Sequence, residues 1–297
     1  MAPARGRMPL RSVGLSGIRK PLVVDRKDRS NSLSVTFDVA VDLPAGRKGS
    51  DLSRNAEILA EVVDASVHRP VSSLESACSA IARELLVRHE YATEASVRAS
   101  AEYFLRKGVS EDRRSFEEYT LLARASATRP ADGGPVRLTR TVGAEAVGMT
   151  ACPCAMETCR DALLEEFPEL ATPRFASLPI VTHNQRNRTQ LLVELAEDVD
   201  VEVDDLISAI EAAQSSPTYA ILKRGDEAKV VLAAHRNPKF VEDVLRDLLA
   251  SLPARFPALA DETGVEARTV SEESIHKYNV EAGHRTTFGD LRREARA

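Results

Sequence analysis

The stretch LSVTFDVAVD, residues 33–42, contains the clearest strand pattern in the sequence. Apolar side chains alternate with small or polar ones along it, at Leu33, Val35, Phe37, Val39 and Val41. This period of two predicts a β-strand with one buried face and one face that is wet or covered by a partner. The PAG sequence at residues 44–46 ends the strand.

The elements around this strand predict the fold class of the first half. They are an earlier strand with a glycine interruption, two amphipathic helices and two further strands, at Ser12–Val24, Arg54–Ala65, Ser73–His89, Thr93–Leu105 and Tyr119–Ala127. Ser53 is the expected N-cap of the first helix. An order of two strands, two helices and two strands predicts an α+β fold, in which both helices cover one face of an antiparallel sheet.

A second unit follows the TRPADGGP sequence at residues 128–135, whose proline, glycine and aspartate residues mark a linker. Its predicted elements are strand Val136–Met149, helix Ala155–Glu166, loop Glu169–Ser177, strand Thr189–Ala196, helix Val203–Gln214, strands Thr218–Lys223 and Ala228–Ala234, a helix that Asn237-Pro238 starts and that runs to Leu252, and strand Val265–Val270 before a polar tail. The predicted organisation is a disordered terminus at 1–10, a first unit at 11–130 and a second unit at 136–297.

Composition limits the functional classes. Hydrophobic residues make up 43% of the 297 residues, so we expect a packed core, but aromatic residues make up only 4% and tryptophan is absent. Together with a net charge of −5, this argues against a general nucleic-acid binder. No apolar run reaches the ~20 residues of a membrane span, and the N-terminus lacks the apolar segment of a signal peptide. We therefore expect a cytoplasmic protein with reduced cysteines.

Two of the four cysteines, Cys152 and Cys154, lie in the GMTACPCA sequence at residues 148–155, between a predicted strand and a predicted helix. A thiol just before a helix meets backbone N–H groups that favour an anionic sulfur, the form that binds metals and attacks substrates. The pattern therefore predicts that Cys152 is a metal ligand or a nucleophile, and not one of two small buried residues beside a proline. Cys78 and Cys159 are expected in the core.

A second polar cluster is THNQRNR at residues 182–188. It combines an imidazole, His183, with two amides and the guanidinium groups of Arg186 and Arg188, so it could hold a phosphate or form a solvated loop. Glu227 follows a predicted turn and would, alone, be interpreted as a surface charge.

Two further acidic residues could belong to the same site. Glu273 and His276 have a spacing known from metal sites, if their segment is helical. Glu242 and Arg246 have the spacing of an ion pair on a helix surface. One thiol, two imidazoles and one or two carboxylates would suit a catalytic zinc or iron ion. From the residues alone we predict a metal-dependent hydrolase or lyase, with the substrate open.

Five motifs occur in the order in which they stand in a known family. They are GMTACPCA at 148–155, HNQR at 183–186, LKRGDE at 222–227, NPKFVED at 237–243 and ESIH at 273–276. Together they resemble the type IB GTP cyclohydrolases over nearly the whole chain, and the first motif is closest to the archaeal branch. The resemblance implies a tunnelling fold of two tandem units, each an antiparallel sheet with paired helices. It also implies a homodimer or homotetramer with active sites at subunit interfaces.

The resemblance further implies the substrate, the metal and the ligands. The family opens the imidazole ring of GTP and releases C8 as formate. By resemblance, Cys152, His183 and Glu227 are metal-site residues, with His276 as a conditional ligand. The expected metal is Fe(II), with Mn(II) or Zn(II) as alternatives.

Roles for the remaining site residues also rest on the resemblance. Cys152, Cys154, Glu273 and His276 are the expected catalytic residues. Glu242 is expected to bind the guanine edge, and the triphosphate is expected to contact Arg186, Arg188 and Lys223. The sequence departs from the family pattern at Asp51, where relatives usually have a histidine.

Four outcomes for the chemistry stay open at this point. The archaeal branch gives 7,8-dihydroneopterin 2′,3′-cyclic phosphate and diphosphate, and the bacterial branch gives 7,8-dihydroneopterin triphosphate. A non-catalytic protein of the same fold would bind a purine or pterin without turnover, and a thiol enzyme acting on a deazapurine would need no metal. The expected pathway is pterin biosynthesis of the methanopterin or folate type.

Overall fold

A computed structural model describes residues 8–26 and 29–296. The strands in those residues are β1 Leu10–Arg26, β2 Arg29–Leu43, β3 Glu94–Lys107, β4 Ser115–Thr128, β5 Arg137–Ala151, β6 Asn184–Leu195, β7 Ser216–Pro217, β8 Gly264–Ser271 and β9 Val280–Thr287. The α-helices are α1 Leu52–His68, α2 Leu74–Arg88, α3 Pro153–Glu166, α4 Pro173–Ala176, α5 Val203–Ala213, α6 Arg224–Arg236, α7 Val241–Arg255 and α8 Phe288–Glu294. Short 3-10 helices span Glu111–Arg113 and Pro168–Leu170.

The strands form one antiparallel sheet. Their hydrogen-bonded order is β1-β2-β3-β4-β5-β6-β8-β9, and β7 pairs with β5. Two strands precede and two strands follow the helices α1 and α2. The predicted α+β class is therefore confirmed.

The predicted strand at residues 33–42 is the centre of β2. Its alternating apolar side chains are all buried, from Leu33 to Val41. Its neighbour β1 contains the predicted interruption, because the register between the two strands shifts between Leu15 and Ile18. Gly17 adopts a φ of 71° there, a conformation that only glycine adopts readily. Its N–H donates to Asp38 Oδ1 at 2.8 Å, so the irregularity is fixed by β2.

Helices α1 and α2 pack against each other, and both contact the β1–β2 hairpin. Ser73 caps α2, since its side chain accepts a hydrogen bond from the Ser76 N–H at 3.2 Å. The expected cap of α1 at Ser53 is wrong: the N-cap is Asp51, which makes no side-chain capping bond. Asp51 instead pairs with Arg47 at 2.8 Å and with Arg54 at 3.4 Å. The sequence departs from the family pattern at Asp51, and the carboxylate of this residue is therefore engaged in ion pairs with two arginines.

The residues group into two compact units that are discontinuous in sequence. The first contains the chain up to Tyr103 together with Thr120–Gly143 and Val193–Val201, and the second contains Phe104–Tyr119, Ala144–Leu192 and the chain from Glu202 onward. The linear limits of the two tandem fold units, 11–130 and 136–297, stay a prediction. The first seven residues of the terminus predicted to be disordered lie outside the described residues, and Leu10 already begins β1.

The core of the second unit is organised around α7. This helix contacts α5, α8, β8 and β9, and its buried side chains recur at helical spacing, at Val241, Val244, Leu245, Leu248 and Leu252. The predicted inward face of this helix is thus confirmed. Among the described residues, no helix combines the length and the apolar composition that crossing a membrane requires.

The two strands predicted at Thr218–Lys223 and Ala228–Ala234 are wrong. Arg224–Arg236 is the helix α6. The valines and leucine of this segment favour strands, but the Asp226 carboxylate accepts from the backbone N–H of Lys223 at 3.4 Å at the start of the helix. Val230 and Ala234 then bury one face at a spacing of four, so capping and burial outweigh the local propensity.

Three other local predictions need correction. Asn237-Pro238 does not start a helix: Asn237 ends α6, and α7 begins after Phe240, whose N–H donates to Asp243 Oδ2 at 3.0 Å. The predicted polar tail contains β9 and α8. The predicted loop at 169–177 contains α4 and part of the preceding 3-10 helix. Side-chain caps start both short α-helices: Thr172 accepts from the Phe175 N–H at 3.2 Å, and Thr287 accepts from the Asp290 N–H at 3.2 Å.

Candidate active site

One cavity in the second unit gathers much of the predicted chemistry. Its volume is about 220 Å³. It is lined by residues from the end of β5, the start of β6, the start of α7 and the segment between β8 and β9, including Cys152, His183, Gln185, Glu242, Glu273 and His276. The five motifs recognised in the sequence therefore contribute unequally, because the 222–227 motif does not line this cavity.

Cys152 is held at the point where β5 passes into α3. It is the N-cap of that helix, and its Sγ accepts from the Ala155 N–H at 3.4 Å. The Cys152 backbone N–H donates to the carbonyl of His183 at 3.1 Å, and its own carbonyl accepts from the Thr182 hydroxyl at 2.8 Å. Two segments that are distant in sequence thereby place the thiol beside the imidazole.

Lys239 connects the same strand end to α7. Its backbone N–H donates to the carbonyl of Ala151 at 3.0 Å. Its ammonium group donates to the carbonyl of Ala213 at 2.8 Å and pairs with Asp247 at 2.7 Å. These bonds keep the chain extended before α7 and bring Glu242, in the first turn of that helix, to the cavity.

Glu242 is exposed. Within the described part of the chain, its carboxylate has no hydrogen bond or ion pair. The alternative interpretation, an ion pair with Arg246, is not observed, because Arg246 lies 3.5 Å from Asp243 instead. An anionic group near a helix N-terminus is electrostatically favoured, and here it remains available to a ligand.

Gln185 lies between His183 and Glu273. Its Oε1 lies 2.9 Å from His183 Nδ1, and its Nε2 lies 3.3 Å from Glu273 Oε1 and 3.1 Å from Ser271 Oγ. Thr150 Oγ1 also lies 3.1 Å from Nε2. The Ser271 hydroxyl donates to Glu273 Oε1 at 2.8 Å. Thr150 and Ser271 are buried, so this network forms the floor of the cavity.

His276 and Tyr278 lie in the segment between β8 and β9. Their rings are stacked, with centroids 5.1 Å apart and an interplanar angle of 11°. The His276 ring meets the His183 ring edge-on at 6.4 Å between centroids. Glu273 and His276 would share one face if their segment were helical, but the segment has no helix. They meet at the cavity because the chain bends after β8.

Five predicted site residues lie outside the lining of this cavity in the described protomer. Cys154 is exposed on α3, and Arg186 is exposed on β6. Lys223 is the N-cap of α6, and Glu227 is exposed in its first turn. Arg188 pairs with Glu145 at 2.6 Å, a hydrogen bond that raises the pKa of its guanidinium group. Their assigned roles stay predictions.

The donor chemistry of the cavity fits a divalent metal. A thiol and two imidazoles, from Cys152, His183 and His276, line one small space, and such ligands suit zinc or iron. Metal-binding histidines usually place their second ring nitrogen against a protein hydrogen-bond partner, and His183 Nδ1 lies 2.9 Å from Gln185 Oε1. Among residues 8–26 and 29–296, however, no group of three or more His, Cys, Asp or Glu side chains already has the spacing of a metal site.

Four residues that line the cavity were given no role from the sequence. Gln185 was quoted within the HNQR motif but received no role, and Thr150 and Ser271 were not singled out. The available signal was the position of these polar residues at strand ends next to predicted ligands. Tyr278, two residues after His276, carried no pattern of its own, since ring stacking between close neighbours depends on the bend of the chain.

Comparison with known proteins decides the family. The model of the family described as Type I GTP cyclohydrolase folE2 matches residues 2–282. The chain belongs to this family. The predicted resemblance to GTP cyclohydrolases, which are hydrolases, is therefore confirmed.

Archaeal members of the GTP cyclohydrolase family are similar to nearly the whole chain. GTP cyclohydrolase MptA of Methanosarcina acetivorans is 41% identical over 294 residues, which cover 96% of this chain and 92% of that protein. GTP cyclohydrolase MptA of Methanothermobacter thermautotrophicus is 39% identical over 292 residues, covering 96% and 91%. The predicted similarity to the archaeal branch is confirmed by these relatives.

Solved structures support the fold of this GTP cyclohydrolase family member. Uricase from Arthrobacter globiformis has a TM-score of 0.55 at 8% sequence identity, over 94% of this chain and 93% of that chain. At this identity the likeness concerns the fold alone. It confirms the predicted tunnelling fold, with its antiparallel sheet and paired helices.

Proposed function

We propose that this protein is a metal-dependent GTP cyclohydrolase that opens the imidazole ring of guanine and releases C8 as formate. The observation that carries the proposal is one cavity that presents the Cys152 thiol, the His183 imidazole and the unpaired Glu242 carboxylate together. In a member of the GTP cyclohydrolase family, the thiol and the imidazole can hold the metal, and the carboxylate can bind the guanine base.

Glu242 supplies base selectivity in this proposal. A carboxylate can accept two hydrogen bonds in parallel, from N1–H and from the 2-amino group of guanine. Adenine has neither donor in those positions, so its binding would leave the carboxylate unpaired, which is costly in a partly desolvated site. The absence of an internal partner for Glu242 among the described residues supports this role.

Cys152 and His183 would hold the metal, with His276 as a further ligand or as the group that moves a proton. Fe(II) is the proposed metal, and Mn(II) or Zn(II) are the alternatives. When bound, such a metal supplies a water nucleophile of lowered pKa. His276 lies with its ring edge-on to His183, and from there it would take a proton from the attacking water or deliver one to the opening ring.

The protein is proposed to act as a homodimer or homotetramer with shared active sites. A cavity of about 220 Å³ is smaller than the ~300–1,000 Å³ of ordinary ligand pockets, and GTP carries a long triphosphate. A second copy could complete the site with residues that lie outside this cavity in their own protomer, such as Glu227, Arg186 and Lys223. The arginine and lysine side chains suit a triphosphate, and the glutamate carboxylate suits a metal.

The proposed product is 7,8-dihydroneopterin 2′,3′-cyclic phosphate. It forms when a hydroxyl of the opened ribose chain attacks the α-phosphorus and diphosphate leaves. The similarity to proteins called GTP cyclohydrolase MptA supports this product over the triphosphate. We also propose that the protein is cytoplasmic and acts in pterin biosynthesis of the methanopterin or folate type.

Formate release tests the proposal with matched variants. Cys152→Ala and His183→Ala should lose formate release with GTP at every metal, and His276→Asn should lower it by about 10²–10⁴-fold. Cys159→Ala removes a half-buried thiol of the same helix and should keep activity. A metal-free Cys152→Ala protein that still releases formate would contradict the proposal.

A further inference from the structure

We infer that Glu273, acting through the Gln185 amide, fixes the ring tautomer of His183 and leaves Nε2 as its metal-binding nitrogen. The inference rests on the proposed metal-dependent function.

The orientation of the Gln185 amide is set by Glu273 and Ser271. Glu273 is a carboxylate and can only accept hydrogen bonds, and its side chain is 9% exposed. Its Oε1 also takes the proton of the Ser271 hydroxyl at 2.8 Å. Ser271 therefore offers Gln185 a lone pair and not a proton. Both neighbours thus require the NH₂ group of Gln185, at 3.3 Å and 3.1 Å.

A reversed amide would be unfavourable. Its oxygen would face a carboxylate oxygen and a hydroxyl oxygen whose proton is already used, so two hydrogen bonds would be lost in a largely buried place. A buried or charged group that loses its hydrogen-bond partner gains no water in exchange, so each loss disfavours the reversed orientation. The chemistry of Glu273 and Ser271 therefore sets the orientation of the amide.

The orientation of the Gln185 amide decides which ring nitrogen of His183 carries the proton. With its NH₂ group committed, Gln185 presents its carbonyl oxygen to His183 Nδ1 at 2.9 Å. A carbonyl oxygen only accepts, so Nδ1 must carry the proton. In the neutral ring the other nitrogen, Nε2, then has a free lone pair. This arrangement orients a ring for a metal before the metal arrives, which is the usual effect of outer hydrogen bonds on ligating histidines.

Glu273 acts on the proposed metal site through Gln185, and its other oxygen, Oε2, lies 3.7 Å from His183 Nδ1, where it also favours a proton on that nitrogen. Glu273 is therefore a positioning residue. The two tautomers can be distinguished directly in the metal-free protein. Labelling with ¹⁵N-histidine at about pH 8, where imidazoles are mostly neutral, gives separate signals for protonated and unprotonated ring nitrogens. The His183 signals are assigned by their absence from His183→Asn.

The expected result for the wild-type protein is a protonated Nδ1 in His183. Glu273→Gln keeps the shape of the side chain but allows the Gln185 amide to reverse, so it should give a mixture of tautomers. Gln185→Met removes the acceptor and should do the same. Both variants should bind Co(II), measured by competition with a chelating dye, about 10–100-fold more weakly.

Gln190→Met is the matched control. Gln190 lies on the same strand, and its Nε2 donates to Glu145 Oε2 at 2.6 Å, so the substitution also removes an amide–carboxylate bond. It should change neither the His183 tautomer nor Co(II) affinity. A protonated Nε2 in the wild-type protein would overturn the inference. The inference would also be overturned if the Glu273→Gln and Gln185→Met proteins kept the His183 tautomer and the Co(II) affinity of the wild-type protein. Neither measurement uses GTP, so a failure of this inference can be distinguished from a failure of the proposed cyclohydrolase activity, which formate release measures.

Discussion

The backbone nitrogen of Cys152 lies 3.1 Å from the carbonyl oxygen of His183, so a main-chain hydrogen bond joins the two predicted metal ligands. This bond ties the end of β5 to the start of β6. It fixes the separation of the two ligands by backbone geometry, which is more rigid than side-chain packing. The relative position of the two predicted ligands is therefore set by the neighbouring strands β5 and β6.

Substitution of Glu242 should weaken the recognition of guanine. Glu242→Gln loses the charge and replaces one acceptor by a donor that faces the N–H groups of the base. We expect kcat/KM for GTP to fall about 100-fold, which corresponds to about 2.7 kcal/mol. The preference for GTP over inosine triphosphate, which lacks the 2-amino group, should also fall. Steady-state formate release with both nucleotides measures the two effects.

Glu166→Gln is the control for this experiment, since Glu166 is exposed at the end of α3. It should leave both values unchanged. An unaltered GTP preference in Glu242→Gln would remove Glu242 from guanine binding.

The buried carboxylate of Asp226 should make stability depend on acid pH. Burial alone would raise its pKa, but the Arg113 hydrogen bond, the Lys223 N–H and Lys229 outweigh burial and lower it. A lowered pKa in the folded state means that the contribution to stability is present above the ordinary value of 3.8 and is lost as pH falls through the folded value. Asp226→Asn should therefore melt lower than wild type near neutral pH, and the gap should close in acid.

Thermal unfolding of both proteins between about pH 7 and pH 3 measures this gap. Asp161→Asn, an exposed change on α3, should follow the wild-type curve at every pH. A gap between Asp226→Asn and wild type that stays constant down to pH 3 would show that the ionisation of Asp226 is not its cause.

Gly148 should not tolerate a side chain. A Cβ built at this position would lie 2.3 Å from Cγ of Gln214. Gln214 is 2% exposed and is held by hydrogen bonds with Asn187 at 2.8 Å and Thr189 at 2.9 Å, so it cannot move aside. Gly148→Ala should lower the free energy of unfolding by about 1–3 kcal/mol.

Chemical denaturation compares this variant with Gly225→Ala in α6. A Cβ at Gly225 meets no atom within 4 Å, and alanine favours helices. Gly225→Ala should therefore be as stable as the wild type or more stable. Equal stability of Gly148→Ala and wild type would mean that the Gln214 network can rearrange.

The sequence predicted those parts of the fold that have a local pattern. The alternation in β2 and the apolar stripe of α7 correspond to buried faces, so their prediction needed no tertiary information. The helix α6 was mistaken for strands because its valines favour strands, whereas its stability depends on the Asp226 cap and on burial against other elements. The residues of β9 are exposed or half-buried and mostly polar, and the segment forms a strand because it pairs with β8.

The sequence predicted which residues belong to the candidate site, but it did not predict how their atoms are arranged. Cys152, His183, Glu242, Glu273 and His276 were all named from motifs, and all line one cavity. The roles of Gln185 and Ser271 could not be seen, because they depend on which atoms face each other across three strands. A hydrogen-bond chain of this kind has no characteristic residue spacing from which it could be predicted.

The measurement that tests the central claim most directly is an anaerobic incubation of the protein with GTP and Fe(II), in parallel with Mn(II) and Zn(II). Formate and diphosphate are quantified, and the pterin is examined after oxidation, with and without phosphomonoesterase. We predict formate and diphosphate in equal amounts and a pterin that resists phosphomonoesterase. A phosphatase-sensitive triphosphate would contradict the cyclic-phosphate product, and no formate with any of the three metals would contradict the proposed cyclohydrolase activity.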